Sequence, residues 1–501
     1  MGAEEHYTLV IAAIAALVTI GYFVAIAYLY PTTDDFFYAD RKLDALQIRA
    51  NVAATATSLA GALFFFLNQT PVFGWLMLLV PVMNVLGIIL FLRIVKGKRT
   101  SRILTGSIFR FVYASTQSIA IARVTNLIVL ITFVTIFLIE VVLGARIFAY
   151  FVPFMPYAVE IAIVIICALV IWYVIVGGFV AVANTDRWQL WLVNTGIIAA
   201  GLFLAFYYFE ISANDKNLIS NFQHPTLPPS LQWTFFINLV FINLFLPASQ
   251  ISTWQRYSSA PEEISRKAFY KSIWQRILPL WFGVIICSAM LASIQEATPN
   301  FTVLFDFLRK SGFFAAAIVF PVLFVGLLAA LLSTADSMMI SIMLAVEDEK
   351  KKHVLCEAIN AELEGSQGQS DLYQLTKPRR SDVLLTGCLV VAGTIAVDLW
   401  LVARPDTEGL IVGLLFAGYG MPCLLFPVIL GAAYSKGHLP NEHLVVAGLI
   451  VGLVVLWIGG LIGLLVGDAR GSHLGPVGGI AVVSVAVCAA YLKWFTRGQQ
   501  Q

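Results

Sequence analysis

Apolar stretches of about 20 residues recur along the chain, at roughly 7–30, 46–68, 74–95, 120–145, 156–176, 188–208, 233–253, 272–294, 313–346, 381–403, 408–433, 442–465 and 474–494. A helix rises about 1.5 Å per residue, so each stretch is long enough to cross the ~30 Å hydrocarbon core of a bilayer. In lipid every backbone polar group needs an internal partner, which leaves only helices and closed barrels. Spanning β-strands run to about 10 residues and alternate in polarity, and these stretches do neither. Composition agrees: 59% of the 501 residues are hydrophobic and 12% charged, against about 25% charged in soluble domains. The expected fold is all-α and polytopic, with thirteen transmembrane helices and the lipid bilayer as its solvent.

Two stretches carry features that ordinary spans avoid. Residues 46–68 are rich in Ala and Thr, and 233–253 hold Asn238, Asn243 and Pro247. Polar residues and a proline inside a span point to a helix broken where it lines a cavity.

With the N-terminus outside, 25 of the 31 lysines and arginines fall on inside loops and their flanks. Lys216, Arg309, Lys310, Arg404 and Arg470 fall outside, and Arg146 lies at the outer end of the fourth span, where it reads as an interfacial anchor. This bias follows the positive-inside rule and predicts N-out, C-in in the plasma (inner) membrane. An odd number of spans requires the same split. The first apolar run lacks a basic region before it and a cleavage site after it, so a retained helix is expected rather than a signal peptide. The sizeable hydrophilic stretch 347–380 reads as a flexible cytoplasmic linker.

Net charge is +2 and gives no indication of nucleic acid as a partner. The six scattered cysteines, Cys167, Cys287, Cys356, Cys388, Cys423 and Cys488, read as buried free thiols. His353 and Cys356 have a metal-like spacing but no second pair. There is no G-x-x-x-x-G-K-[ST] phosphate cradle, no paired histidines and no nucleophile elbow. Neither an ATP-driven pump nor a membrane enzyme is expected, and no cofactor. A channel lacks its filter or carboxylate ring.

Three stretches stand apart from membrane filler: Asp34-Asp35-Phe36-Phe37-Tyr38-Ala39-Asp40-Arg41, the run Gly177-Gly178 to Gln189 containing Asn184-Thr185-Asp186-Arg187-Trp188, and Ala329-Ala330-Leu331-Leu332-Ser333-Thr334-Ala335-Asp336-Ser337. With Gly144-Ala145-Arg146 and Gln255-Arg256-Tyr257, and in this order, they resemble the sodium:solute symporter family of proline, pantothenate, sialic acid and sugar symporters. Ala417-Gly418-Tyr419-Gly420 followed by Phe426-Pro427 is nearer the proline branch. The resemblance covers about residues 5–495 and implies a LeuT-type core of two inverted five-helix repeats. These would be 46–208 and 233–433, the latter including the linker. The remainder would be an extra helix and loop in 1–45, an extracellular loop at 209–232, and two helices with a short tail in 434–501.

Ala330, Ser333, Thr334 and Ser337 are spaced i, i+3, i+4 and i+7, one face of a helix. Taken alone, this is either a hydroxyl-lined ion site or a small-residue packing seam. The resemblance implies the former, with sodium, the coupling ion, held by the carbonyls of Ala56, Leu59 and Ala330 and the hydroxyls of Ser333 and Thr334. Where the proline branch has an aspartate this chain has Ser58, so an uncharged ion site is expected. Asp186 is either near the inward ion exit or an interfacial carboxylate beside Arg187. Asp336 is either on the inner ion path, with Ser58 and Ser337, or faces the cytoplasm.

The solute should bind where 56–68, 233–253 and 408–433 meet, with Gly61, Leu63, Asn243, Phe245, Gln250 and Tyr419 as contacts. Few hydrogen-bonding groups converge there, which disfavours a sugar. An amino acid or short organic acid fits better, its carboxylate meeting a half-helix N-terminus. The expected function is sodium-coupled uptake by alternating access. The alternatives are a proton-coupled symporter and a transporter-like solute sensor.

Overall fold

The computed structural model describes residues 3–30, 35–96, 102–151, 155–212, 229–294, 301–364, 378, 380–402, 407–434, 440–466 and 469–497. Asp34 of the first motif, most of the expected extracellular loop and the second half of the 347–380 stretch lie outside these residues.

The described chain is helical throughout, from α1 (Ala3–Leu29), α2 (Ala45–Thr55), α3 (Phe65–Phe73) and α4 (Leu79–Val95) to α5 (Ile108–Thr116), α6 (Ile119–Phe151) and α7 (Ala158–Ser212). Then come α8 (Pro229–Ser249), α9 (Ile251–Ser258), α10 (Glu262–Ser272), α11 (Leu278–Ile294), α12 (Phe301–Lys310) and α13 (Phe320–Lys350). The last are α14 (Lys352–Leu363), α15 (Arg380–Val402), α16 (Thr407–Cys423), α17 (Leu425–Tyr434), α18 (Glu442–Val466) and α19 (Ala469–Arg497). Among the described residues ten helices are long and apolar enough to cross a membrane, or eleven if the bent pair α8–α9 counts as one. This is fewer than the thirteen expected, partly because two of the ten contain a break.

The 55-residue α7 would be about 80 Å long if straight, far more than a bilayer. It folds at Gly178, whose φ of 54° and ψ of −154° lie in a region open essentially to glycine alone. The fold is pinned from outside: Phe179 N donates to the carbonyl of Phe36 at 3.0 Å.

Both expected breaks are present. α2 begins with a capping box, in which Asp44 accepts from Gln47 N and Gln47 accepts in return from Asp44 N. It ends at Thr55. After it Ser58 is extended (φ −66°, ψ 148°) and caps a π-helical turn, Leu59–Phe64, that leads into α3. Pro247, near the end of α8, cannot donate to the helix ladder, and α9 restarts after Gln250 at a 41° bend.

The 347–380 stretch is not a free linker over its first half. α13 runs on to Lys350, with Asp348 buried. α14 then docks Leu355 and Ile359, both fully buried, against α5 and the turn before it, and Asn360 bonds Tyr113 Oη at 3.3 Å. The apolar i, i+4 pair in an otherwise charged segment is what drives the docking. The cysteines are free, but Cys388 and Cys488 are exposed rather than buried. Arg146 is no simple anchor either: it forks onto the buried Asp398 through Nε and Nη2, at 3.0 and 2.8 Å.

Candidate functional site

The two breaks face each other across a cavity that is partly open to solvent. Its walls come from both broken helices and from α4, α10, α11 and α16. At one end Phe65 meets Phe235 and Phe416, with ring centroids 6.5 and 5.7 Å apart, and Phe73 stacks on Phe235 at 3.4 Å. The other end reaches Arg256, Phe269 and Ile277. Between them the polar groups are few: Thr55, Ser58, Asn84, Asn243, Gln250 and Tyr419. Asn243 donates to the carbonyl of Leu239 at 3.2 Å. Asn84, a lining residue, has its Oδ1 buried with no partner.

At the first break Ser58 Oγ accepts from Gly61 N at 2.7 Å and lies 3.2 Å from Tyr419 Oη. Gly61 permits this approach, since a Cβ there would fall 2.5 Å from Tyr419 Cζ and 2.6 Å from Ser58 Oγ. Glu140 of α6, fully buried, accepts from Ala60 N at 3.0 Å through Oε2, while Oε1 has no partner. The break therefore carries a carboxylate after all, delivered from a different helix.

The hydroxyl face of α13 is buried and packs against α2 and the π-turn. Ser333 Oγ donates to Asp186 Oδ1 at 2.6 Å. Thr334 Oγ1 donates back to the Ala330 carbonyl at 2.9 Å, and Ser337 Oγ accepts from Arg256 Nη2 at 2.8 Å. Arg256 also donates to Asn51 Oδ1 at 2.7 Å and to the Ser252 carbonyl at 3.1 Å. Asp186 Oδ2 and Asp336 Oδ1 are buried without partners. The remaining motifs converge on the same region. Gln255 Nε2 bonds the Phe37 carbonyl at 2.8 Å, and Gly178 packs on the ring of Phe36.

No family model matches the sequence, and no curated sequence matches it. Solved structures do. A sodium-coupled sialic acid symporter in a substrate-bound outward-open state aligns over 96% of this chain and 97% of its own, with a TM-score of 0.65 at 17% identity. The fold is LeuT-like. A manganese transporter of Eremococcus coleocola aligns over 92% and 94% with a TM-score of 0.54 at 14% identity. MhsT, in complex with L-phenylalanine, aligns over 89% and 98% with a TM-score of 0.50 at 13% identity.

Within this LeuT-like fold the predicted residues divide. Gly61, Asn243, Gln250 and Tyr419 line the central cavity, as does Ser58. Leu63 does not; it lies behind, in a separate apolar cavity with Leu67, Ile197 and Leu204. Phe245 also turns away and stacks on Phe426 at 3.9 Å. Several of the oxygens expected for sodium are engaged in this conformation: the Ala56 carbonyl accepts from Trp281 Nε1 at 2.8 Å, alongside the Ser333 and Thr334 bonds above. Asp186 and Asp336 are both buried inside the protein, so neither side chain faces solvent. Sequence reasoning did not assign Asn84, Trp281 or Glu140 to the site. An ionisable residue in mid-span was the available signal for Glu140.

Proposed function

We propose that this protein is a secondary active symporter that couples sodium entry to uptake of a small solute by alternating access. One observation carries the reading: two opposed helix breaks line one cavity, in a fold shared over nearly the whole chain with a sodium-coupled symporter. Sodium is assigned to the carbonyls of Ala56, Leu59 and Ala330 with the hydroxyls of Ser333 and Thr334. Asp186, Asp336 and Ser337 then form its path. In the conformation described these oxygens bond to protein, so sodium binding exchanges those bonds for ion contacts.

The solute is an amino acid or short organic acid with a substantial apolar body, which suits the aromatic and aliphatic walls. Its carboxylate does not use the half-helix amides, because Ala60 N and Gly61 N are bonded to Glu140 and Ser58. Arg256, in the cavity wall, supplies the positive charge instead, and Asn84 and Gln250 the hydrogen bonds. The chain crosses the membrane thirteen times, with the N-terminus outside, if the breaks at Gly74 and Gly178 each separate two crossings.

The test is a thermal-shift screen of amino and short organic acids on purified protein, with and without sodium, followed by uptake of the hits into proteoliposomes. Stabilisation that needs both solute and sodium, with gradient-driven accumulation, supports the proposal. Solute binding without counterflow or accumulation would establish a sensor instead.

A further inference from the structure

The buried charge at the first break is the feature that neither the cavity nor the hydroxyl face of α13 accounts for. Glu140 sits in an apolar run of α6, between Ile139 and Val141, and is fully buried. A carboxylate shut away from water needs a proton or a cation beside it. No lysine, arginine or histidine bonds to it among the described residues: Oε2 takes Ala60 N, and Oε1 takes nothing. Two hydroxyls stand between it and the cavity, Ser58 Oγ and Tyr419 Oη, 3.2 Å apart. Each has a lone pair to offer an ion. The contents are one carboxylate oxygen with no partner and two hydroxyls, gathered where the helix is interrupted. That is an oxygen cage with one fixed negative charge.

We propose that Glu140, Ser58 and Tyr419 form a monovalent-cation site at the break in the α2–α3 helix, distinct from the hydroxyl face of α13, occupied either by a second sodium ion or by the ammonium group of the solute. The proposal rests on the reading of this chain as a cation-coupled symporter. It adds that the negative charge which Ser58 does not supply comes from α6. A cation here ties α6 to the π-turn and α16, the latter two of which line the cavity. Its occupancy thereby ties cation binding to the shape of the solute site. Because the amides of the break already hold Glu140, the site selects positive over negative groups.

The experiment is equilibrium binding on the purified full-length protein, read by intrinsic tryptophan fluorescence, with Trp281 bonded to the carbonyl at the end of α2. Sodium chloride is titrated against N-methyl-D-glucamine chloride, and methylammonium chloride is titrated in sodium-free buffer. Glu140→Gln keeps an acceptor for Ala60 N but removes the charge, and should raise the midpoint for one of the two cations by about tenfold or more. Tyr419→Phe should raise the same midpoint by a smaller factor. A Glu140-dependent sodium response marks a second ion, and a Glu140-dependent methylammonium response marks the amine of the solute. A folded Glu140→Gln protein with wild-type midpoints for both cations overturns the proposal. If that variant does not fold, a wild-type midpoint in Tyr419→Phe does so. Should Ser333→Ala abolish coupled uptake while Glu140→Gln leaves cation binding intact, the symporter reading stands and this site falls.

Discussion

Two buried groups of charge lie on α13, and they are built differently. Near its end Asp348 is matched one to one by Arg110, both side chains fully buried. Arg110 Nε and Nη2 reach Asp348 Oδ1 at 3.0 and 2.6 Å, and Ser107 Oγ donates to Oδ2 at 2.5 Å. Both carboxylate oxygens have partners. Further back, Asp336 of α13 and Asp186 of α7 are both buried, while Arg256 of α9 donates to an amide, a carbonyl and a hydroxyl rather than to either acid. One oxygen on each acid is left without a partner. A closed pair fixes helices against each other. An open one has an excess of negative charge and vacant acceptors, the arrangement expected of a place that cations visit.

The comparison is tested hardest at the closed pair. Removing one member leaves the other charge buried and uncompensated, at a cost of about 3–5 kcal/mol. Asp348→Ala should therefore lower the thermal midpoint of the purified protein sharply. Replacing both residues with apolar ones of similar volume, Arg110→Met with Asp348→Leu, should recover much of the loss. If the single and double variants unfold alike, the pair is not what holds α5 to α13.

Asp186→Asn inverts the expectation. The amide oxygen can still accept from Ser333, so folding should change little. Sodium-driven uptake should fall on the order of tenfold, the equivalent of about 1.4 kcal/mol of lost ion attraction. Thermal midpoint and uptake are measured on the same preparation. A large drop in stability with normal sodium dependence would move Asp186 into the closed class.

Much of this architecture was legible in the sequence because lipid permits so few backbone solutions. The long apolar runs, the unusual composition of residues 46–68 and Pro247 pointed to spans and breaks at the places where the structure has them. The Ala330–Ser337 face was legible because helical spacing survives inside an unbroken helix. Phase was lost where the helix is not regular. The π-turn Leu59–Phe64 holds more residues per turn than an α-helix, so counting forward from Gly61 put Leu63 in the cavity when it faces away. Phe245 lies in the regular part of α8 and turns onto Phe426 instead. Glu140 was visible as a charge in an apolar run, but its destination was not. Sequence spacing reports neighbours on the same helix, and its partner, Ala60 N, lies at the break after α2.

Single hydroxyls on α13 should have smaller effects. Ser333→Ala and Thr334→Ala each remove one oxygen and should raise the sodium requirement severalfold. Thr334→Ala should be nearly neutral for folding, because that hydroxyl only bonds its own helix. Leu331→Ala is the contrast: its side chain fills the space beside Gly144, so its truncation should cost stability and leave sodium dependence unchanged. Equal effects of all three on sodium dependence would make the face a packing seam.

The smallest net effect is expected where two large ones cancel. Glu140 belongs with the open group, since one of its oxygens is bonded and the other is not. If what the first break needs is one negative charge among its oxygens, its source should be exchangeable. Ser58→Asp alone places a second carboxylate beside Glu140. Like charges in one buried site oppose each other, and one tends to be neutralised by a proton, so sodium affinity should gain little. In the Glu140→Gln background the same substitution supplies the only charge. The introduced carboxylate would also keep the bond from Gly61 N, because aspartate caps a helix start as serine does. The double variant should return the cation midpoint most of the way to wild type, although each single change perturbs it. Sodium titration of the four proteins as a double-mutant cycle reads the coupling directly. Additive losses in the double variant would show that Glu140 acts through its position on α6 rather than through its charge.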